Sequence, residues 1–422
     1  MTVFVKNALV TDPNSPHNGS RNDILIENGI ITRIGNGPDP GNAIQIDASG
    51  AHISPGWVDI FCQFGEPGLE HKETMQTGAA AAAAGGFTDV LLIPNTSPVI
   101  HNRTAVEYIN NRNTGLPVQL HAIGAVTMNT EGKELAEMID MHYGGAVAFS
   151  DGVNPIQSAG LLLKALQYIN TFNGVIIQVP DDKSISRSGL MHEGVVSTQL
   201  GLPGKPALAE ELMLIRDIEL CAYTGSRIHF TGISTAAAIN RLREAKTKNP
   251  NITCSVTPYH LFFTDNDVAH YNTSMKVNPP LRTAEDRDAL QKALADGVID
   301  CVTSHHQPHE WDSKQCEFEY AAWGMEGLES CFHVLAAQPG ITAEKIVQLL
   351  GIAPRKIFSL HQPVIKEGEP CCATLFTMEG EMVFEEQRIR SLSKNNAFTG
   401  QTVKGAVLAT ICRNQTNINN GR

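Results

Sequence analysis

Asp59-x-Phe61-x-Gln63, within VDIFCQFGEPG, has the spacing of a one-sided ligand set. On an extended strand residues two apart share a face, which predicts Asp59, Phe61 and Gln63 on one side and Ile60, Cys62 and Phe64 on the other. Imidazoles at two such positions would seat a divalent metal, which lowers the pKa of a bound water and polarises an amide carbonyl. Phenylalanine binds no ion, and a glutamine amide oxygen is a weak, neutral ligand. Cys62 is a zinc ligand by type, but alternation turns it away from that face and into the packing layer. The run SHHQPH holds His305, His306 and His309. Neighbours on an extended segment face opposite ways, so at most two of these imidazoles are expected to converge. His229 and His260 are expected as hydrogen-bonded structural histidines, and Cys254 as core.

Positioning these groups requires a scaffold, and one is legible. Eight short apolar strands recur from His52 onward: SPGWVDIFCQ, FTDVLLIPN, VQLHAIGAV, AVAFSDG, GVIIQVPDD, RIHFTGIS, NITCSVTPY and IDCVTSHHQPH. Between them run segments with helical spacing, such as EGKELAEMIDMHY, LAEELMLIRDIELCAYTG and AEDRDALQKALADG. Residues 79–86, AAAAAAGG, read as a tightly packed first helix. Eight strand–helix units predict an α/β protein, a (β/α)8 TIM barrel over residues 54–363. The first fifty residues read as short strands, TVFVKNALV, DILIENGIITRIG and AIQIDASG. After Pro363 the strand pattern returns, with CCATLFTM and EMVFEE expected to bracket a Glu-Gly turn. Residues 1–53 and 364–422 are therefore expected to pack together as a small β-sandwich.

Bulk properties narrow the classes of function. With 44 acidic against 32 basic residues the net charge is −12, and no run of Lys or Arg forms a basic stripe, which argues against nucleic acid. No apolar stretch approaches the roughly 20 residues that span a bilayer, and the opening MTVFVKNALVTD lacks a leader pattern, so no membrane partner and a cytoplasmic protein are expected. Nine cysteines without a CxxC pair read as buried, reduced thiols.

In a barrel of this kind chemistry sits at the C-terminal ends of the strands. Those ends carry Asp59, Phe61, Gln63 and Glu66, then Asn95, Asp151, Gln178, Gly232 with Ser234, Tyr259 with His260, and the three histidines of SHHQPH. Taken with IPNTSPV, AFSDG, GISTAAAI, TCSVTPYHL and KVNPPLR in the same order, they make the chain resemble the dihydroorotases of the amidohydrolase superfamily over nearly its whole length. The resemblance implies a metal-dependent-hydrolase barrel that binds one or two zinc ions and interconverts carbamoyl-aspartate and dihydroorotate in pyrimidine biosynthesis.

The departures from that pattern are specific. The family's first strand resembles Asp-x-His-x-His-x-Arg-Glu-Pro-Gly, so Phe61 and Gln63 stand at two imidazole ligand positions and Gly65 at a substrate arginine. Gln178 and Gly232 stand at two further histidine positions, and His305 at the aspartate that holds metal and acts as general base. Asp151 is what remains of Asp-Asp-Gly on the fourth strand. Only Asp151 and His305 could donate, against about three ligands for a catalytic zinc. Asn95, Asn278, His309 and the Trp323-Gly324 pair match positions that contact dihydroorotate, and are expected to persist as loop architecture, since Asn caps turns and Pro-Pro stiffens a loop.

These readings lead to an expectation of no catalytic residue, no bound metal and no other cofactor. The function expected is that of a non-catalytic dihydroorotase-like protein acting as a structural or regulatory partner. By family resemblance that partner is aspartate carbamoyltransferase, together with the chain itself as a homodimer or higher oligomer. The alternatives are an active cyclic-amide hydrolase with a rebuilt site, and a small-molecule sensor that binds a pyrimidine precursor.

Overall fold

The computed structural model describes residues 1–419; the last three residues of the segment expected in the small domain, 420–422, lie outside them. Five strands open the chain: β1 (Thr2–Val10), β2 (Arg21–Glu27), β3 (Ile30–Ile34), β4 (Ile44–Asp47) and β5 (His52–Pro55). Five barrel strands follow, β6 (Trp57–Cys62), β7 (Phe87–Leu92), β8 (Gln119–Gly124), β9 (Ala148–Phe149) and β10 (Val175–Gln178). After a two-residue pair, β11 (Met191–His192) with β12 (Gly204–Lys205), come the remaining barrel strands β13 (Arg227–Phe230), β14 (Ile252–Val256) and β15 (Cys301–Val302). The chain ends in β16 (Cys372–Val383), β17 (Thr402–Cys412) and β18 (Gln415–Ile418).

The eight barrel strands are parallel, in the order β15-β14-β13-β10-β9-β8-β7-β6. Past the ends of the two outermost strands, Gln63 N donates to His306 O at 2.9 Å, so the sheet nearly closes on itself. Every residue of β6 and β7 is buried, as parallel strands covered on both faces require. Val58, Ile60, Phe61, Leu91, Ile93, Ile123, Val175 and Ile177 fill the barrel interior.

The alanine run forms the helix Met75–Ala84, begun by a Thr74–Thr77 capping box. Small side chains are needed there: a Cβ on Gly85 would lie 2.3 Å from Leu328 O of the facing helix. The helix expected over EGKELAEMIDMHY is confined to Met138–Tyr143. Upstream, Met128 N donates to Glu134 O and Ala136 N to Val126 O, so that stretch folds back as a loop.

Both ends of the chain build one separate sheet, ordered β18-β17-β16-β5-β1-β2-β3, with β4 beside β1. The expected Glu-Gly turn is absent: β16 runs unbroken from Cys372 to Val383, and the irregularity near Gly380 is a register shift against β17 between Thr377 and Glu381. A bulge absorbs the extra residues without reversing the chain. Sheet and barrel meet where Trp57 packs 5.1 Å from Phe376 and 5.2 Å from Phe332. No helix among the described residues is long and apolar enough to cross a membrane.

Candidate functional site

The predicted alternation along β6 fails between Asp59 and Cys62, where the pairing with β7 shifts register. Ile60 and Phe61 both enter the barrel interior, whereas Asp59 lies with Cys62, whose Sγ is 3.1 Å from Asp59 Oδ1. Asp59 is wholly engaged: it accepts from Thr303 Oγ1 at 2.8 Å, Ser304 N at 2.6 Å and Phe61 N at 3.1 Å. Its carboxylate ties the first barrel strand to the eighth. Gln63 turns aside and donates to Asn95 O at 2.9 Å.

Three of the singled-out positions form one packed unit. The Phe61 and His305 rings stack with centroids 4.4 Å apart, inclined by 28°. His305 has a left-handed backbone, φ 48°, a conformation that imposes a local cost on a residue with a Cβ. Its Nε2 shares a 2.7 Å hydrogen bond with Thr231 Oγ1. A Cβ on Gly232 would stand 2.8 Å from His305 Cε1, so the glycine is what admits the imidazole. Burial, with His260 and His229 nearby, pulls the His305 pKa down to about 3, and the ring is neutral at ordinary pH.

Gln178 and Asp151 are committed elsewhere. Gln178 Nε2 donates to Asp217 Oδ2 at 3.2 Å. Asp151 accepts from Val126 N, Thr127 N and Thr127 Oγ1; burial lifts its pKa to about 6 against those bonds.

The substrate-side positions also bond within the protein. Asn95 Nδ2 donates to Asp151 O at 3.1 Å and its Oδ1 accepts from Val153 N. Asn278 Oδ1 accepts from the Lys205 ammonium. His309 Nε2 lies 2.7 Å from Trp323 O, and its Nδ1 is buried without a partner. The Trp323 ring carries Lys276 Nζ 5.1 Å from its centroid, and Gly324 O accepts from Lys314 and Asn395.

Two polar clusters escaped the reading of the sequence. Lys205, pulled down to about 8 by burial against Asp181, pairs with that carboxylate at 2.7 Å. Beside it Arg282 bonds Ser234 Oγ and Lys205 O and lies 3.6 Å from Glu210. Behind the barrel rim, His306 sits 3.5 Å from Glu73 and 3.6 Å from Glu326. Burial lowers its pKa, but the flanking carboxylates of Glu326 and Glu73 outweigh that and raise it to about 9. KVNPPLR contains Arg282, yet nothing in its spacing marks a partner on β12.

A family model for dihydro-orotase-like proteins matches residues 50–238. The chain is 40% identical over 415 residues to a dihydroorotase of Pelotomaculum thermopropionicum, covering 97% of each. It is 38% identical over 417 residues to a dihydroorotase of Syntrophus aciditrophicus, covering 97% of this chain and 98% of the other.

The chain belongs to the dihydroorotase family.

Among solved structures, the L-hydantoinase of Arthrobacter aurescens superposes with a TM-score of 0.84 at 23% identity, covering 98% of this chain and 95% of that one. The dihydropyrimidinase of Brevibacillus agri NCHU1002 gives 0.84 at 19%, covering 100% and 96%. At such identities these likenesses establish the fold alone, a (β/α)8 barrel with its accompanying sheet. Membership of the dihydroorotase family overturns the expectation of a protein without a cofactor, because the resemblance to that family implies zinc. The residues at the six inherited positions do not fit that ion as they stand. Phe61 fills the space, Gly232 offers no donor, Gln63 and Gln178 are hydrogen-bonded away, Asp151 is saturated by the third-strand loop, and His305 faces Phe61 and Thr231.

Proposed function

We propose that this chain is a dihydroorotase-family protein of pyrimidine biosynthesis that works by association instead of by cyclic-amide hydrolysis. Its partners on this reading are aspartate carbamoyltransferase and further copies of itself. The observation that carries the reading is the Phe61–His305 stack, which occupies the centre where an attacking water and its base would have to meet. An imidazole with a pKa near 3 is a poor proton acceptor at neutral pH, and hydrolysis needs a base tuned near the working pH. The choice of partner rests on family resemblance. Oligomer interfaces of barrel proteins use outer helices and loops, which substitutions at the strand ends leave intact. Co-expression with the transferase from the same source, then size-exclusion chromatography with mass measurement, tests it. A joint peak is expected. Separate peaks at micromolar concentration, with transferase activity and stability unchanged by this chain, would remove it.

A second reading is favoured by the relatives, which support it better than the first: proteins named dihydroorotase match at 40% and 38% identity along essentially the full length. On that reading the chain interconverts carbamoyl-aspartate and dihydroorotate, or acts on a related cyclic amide, through a rebuilt site. Turnover of dihydroorotate by the purified chain, abolished by His305→Ala, is its signature.

A further inference from the structure

Cys372, at the start of β16, lies directly opposite Cys412, at the end of β17. The hydrogen bond from Arg413 N to Cys371 O, 2.8 Å, marks this as a non-hydrogen-bonded site of the antiparallel ladder. At such sites facing Cα atoms are about 4.5 Å apart and the side chains come closest. That separation falls within the span of about 4.4–6.8 Å which a disulfide bridges. Both sulfurs reach the same residue: Cys372 Sγ is 3.2 Å from Thr88 Oγ1 and Cys412 Sγ is 3.9 Å from Thr88 O. Cys371, one residue earlier, faces the other way, into the core of the terminal sheet.

We propose that Cys372 and Cys412 are a reversible dithiol–disulfide couple, a modification site for small peroxides that staples the two longest strands of the terminal sheet. The charges around it divide the roles. Arg355 Nη2 lies 3.8 Å from Cys372 Sγ and stabilises a thiolate there, while Asp89 Oδ2, also at 3.8 Å, opposes it. The Cys412 thiol, as a hydrogen-bond donor, and Arg355 together hold Cys372 below its ordinary pKa, and the same contact pushes Cys412 up. Cys372 is also the more exposed of the two. Its thiolate attacks the peroxide O–O bond, forming a sulfenic acid and releasing hydroxide, which takes up a proton as water. Cys412 sulfur then attacks the sulfenic sulfur, an S–S bond replaces the S–O bond, and the departing hydroxide takes the Cys412 proton. Two thiols are oxidised and one hydrogen peroxide is reduced to two waters.

The test treats the folded, full-length chain with hydrogen peroxide below about 1 mM, alkylates it in denaturant and maps tryptic peptides by mass. Lys366 and Arg388 bound the peptide that contains Cys371 and Cys372, and Lys404 and Arg413 bound the one that contains Cys412. The expected product is these two peptides joined, two hydrogens lighter than their sum and separated again by dithiothreitol, with two of the nine thiols lost to titration. The link should survive Cys371→Ala and vanish in Cys372→Ala. Recovery of the two peptides unlinked and fully alkylated from the oxidised wild-type chain, with two groups on the Cys371–Cys372 peptide and one on the Cys412 peptide, overturns the proposal without recourse to any variant. So does a link that persists in Cys372→Ala.

Discussion

Phe61 and His305 lie face to face at the centre of the barrel, 4.4 Å between centroids, in space that Gly232 leaves open. This pairing is a packing relationship, and its removal has the cost of a core deletion. Phe61→Ala should destabilise the chain by about 3–5 kcal/mol, as large-to-small changes at buried aromatics do. Chemical denaturation measures it. A loss below about 1 kcal/mol would mean that the stack is loosely filled.

Restoring one imidazole tests whether the site is one step or several from catalysis. Phe61→His leaves Gln63, Gln178 and Gly232 in place, too few donors for a catalytic zinc. Dihydroorotate turnover by that variant, assayed with added zinc, should stay at background; a clear rise would show that the remaining groups can complete a ligand set.

Arg355 is buried with its guanidinium against Asp89, which also bonds His121 at 2.9 Å. Burial raises the Asp89 pKa, but Arg355 and His121 outweigh it and hold the carboxyl well below the usual carboxylate range. Arg355→Met leaves the buried Asp89 carboxylate with His121 and Thr88 Oγ1 but without its guanidinium, and breaking such a pair costs about 3–5 kcal/mol. The double variant Arg355→Met with Asp89→Asn should recover much of that loss. A single variant as stable as wild type would contradict the assignment.

Lys314 supplies a pH dependence with a definite sign. Its ammonium is buried, bonds the carbonyls of Ala322 and Gly324, has Lys276 and the Cys316 thiol nearby, and forms no ion pair with a carboxylate among the described residues. Burial first, then Lys276, lowers its pKa to about 7. The unfolded chain holds that proton up to about pH 10.4, so between about pH 7 and 10 the unfolded state binds more protons. Stability attributable to Lys314 therefore rises with pH across that window. Relative to Lys314→Met, wild type should gain a few kcal/mol from pH 7 to pH 10; a flat difference would show that the amine stays charged.

The barrel was readable because parallel strands covered on both faces appear as uninterrupted apolar runs such as FTDVLLI, each followed by a helical period. The β6 bulge was not, since one added residue leaves the composition of VDIFCQ unchanged yet turns Phe61 to the same side as Ile60. Glu379-Gly380 read as a turn because glycine permits one, and cross-strand pairing with β17 decided otherwise. The residue types at positions 61, 63, 178, 232 and 305 could be read directly. Their new partners could not: Thr231 for His305 and Asp217 for Gln178 come from separate elements that no local period connects. Lys205 with Asp181, and His306 between Glu73 and Glu326, stayed hidden for the same reason.

The terminal sheet sets an order of events during synthesis. Residues 52–55 of β5 pair with residues 373–376 of β16, so the opening strands are made first and completed last. At about 5–20 residues per second, the ribosome needs on the order of half a minute to supply that partner. Meanwhile β5 presents an unpaired edge that includes the buried side chain of Ile53. Nascent chains halted anywhere in the barrel share this open edge, which makes the growing protein, more than the finished one, the form most prone to join other chains.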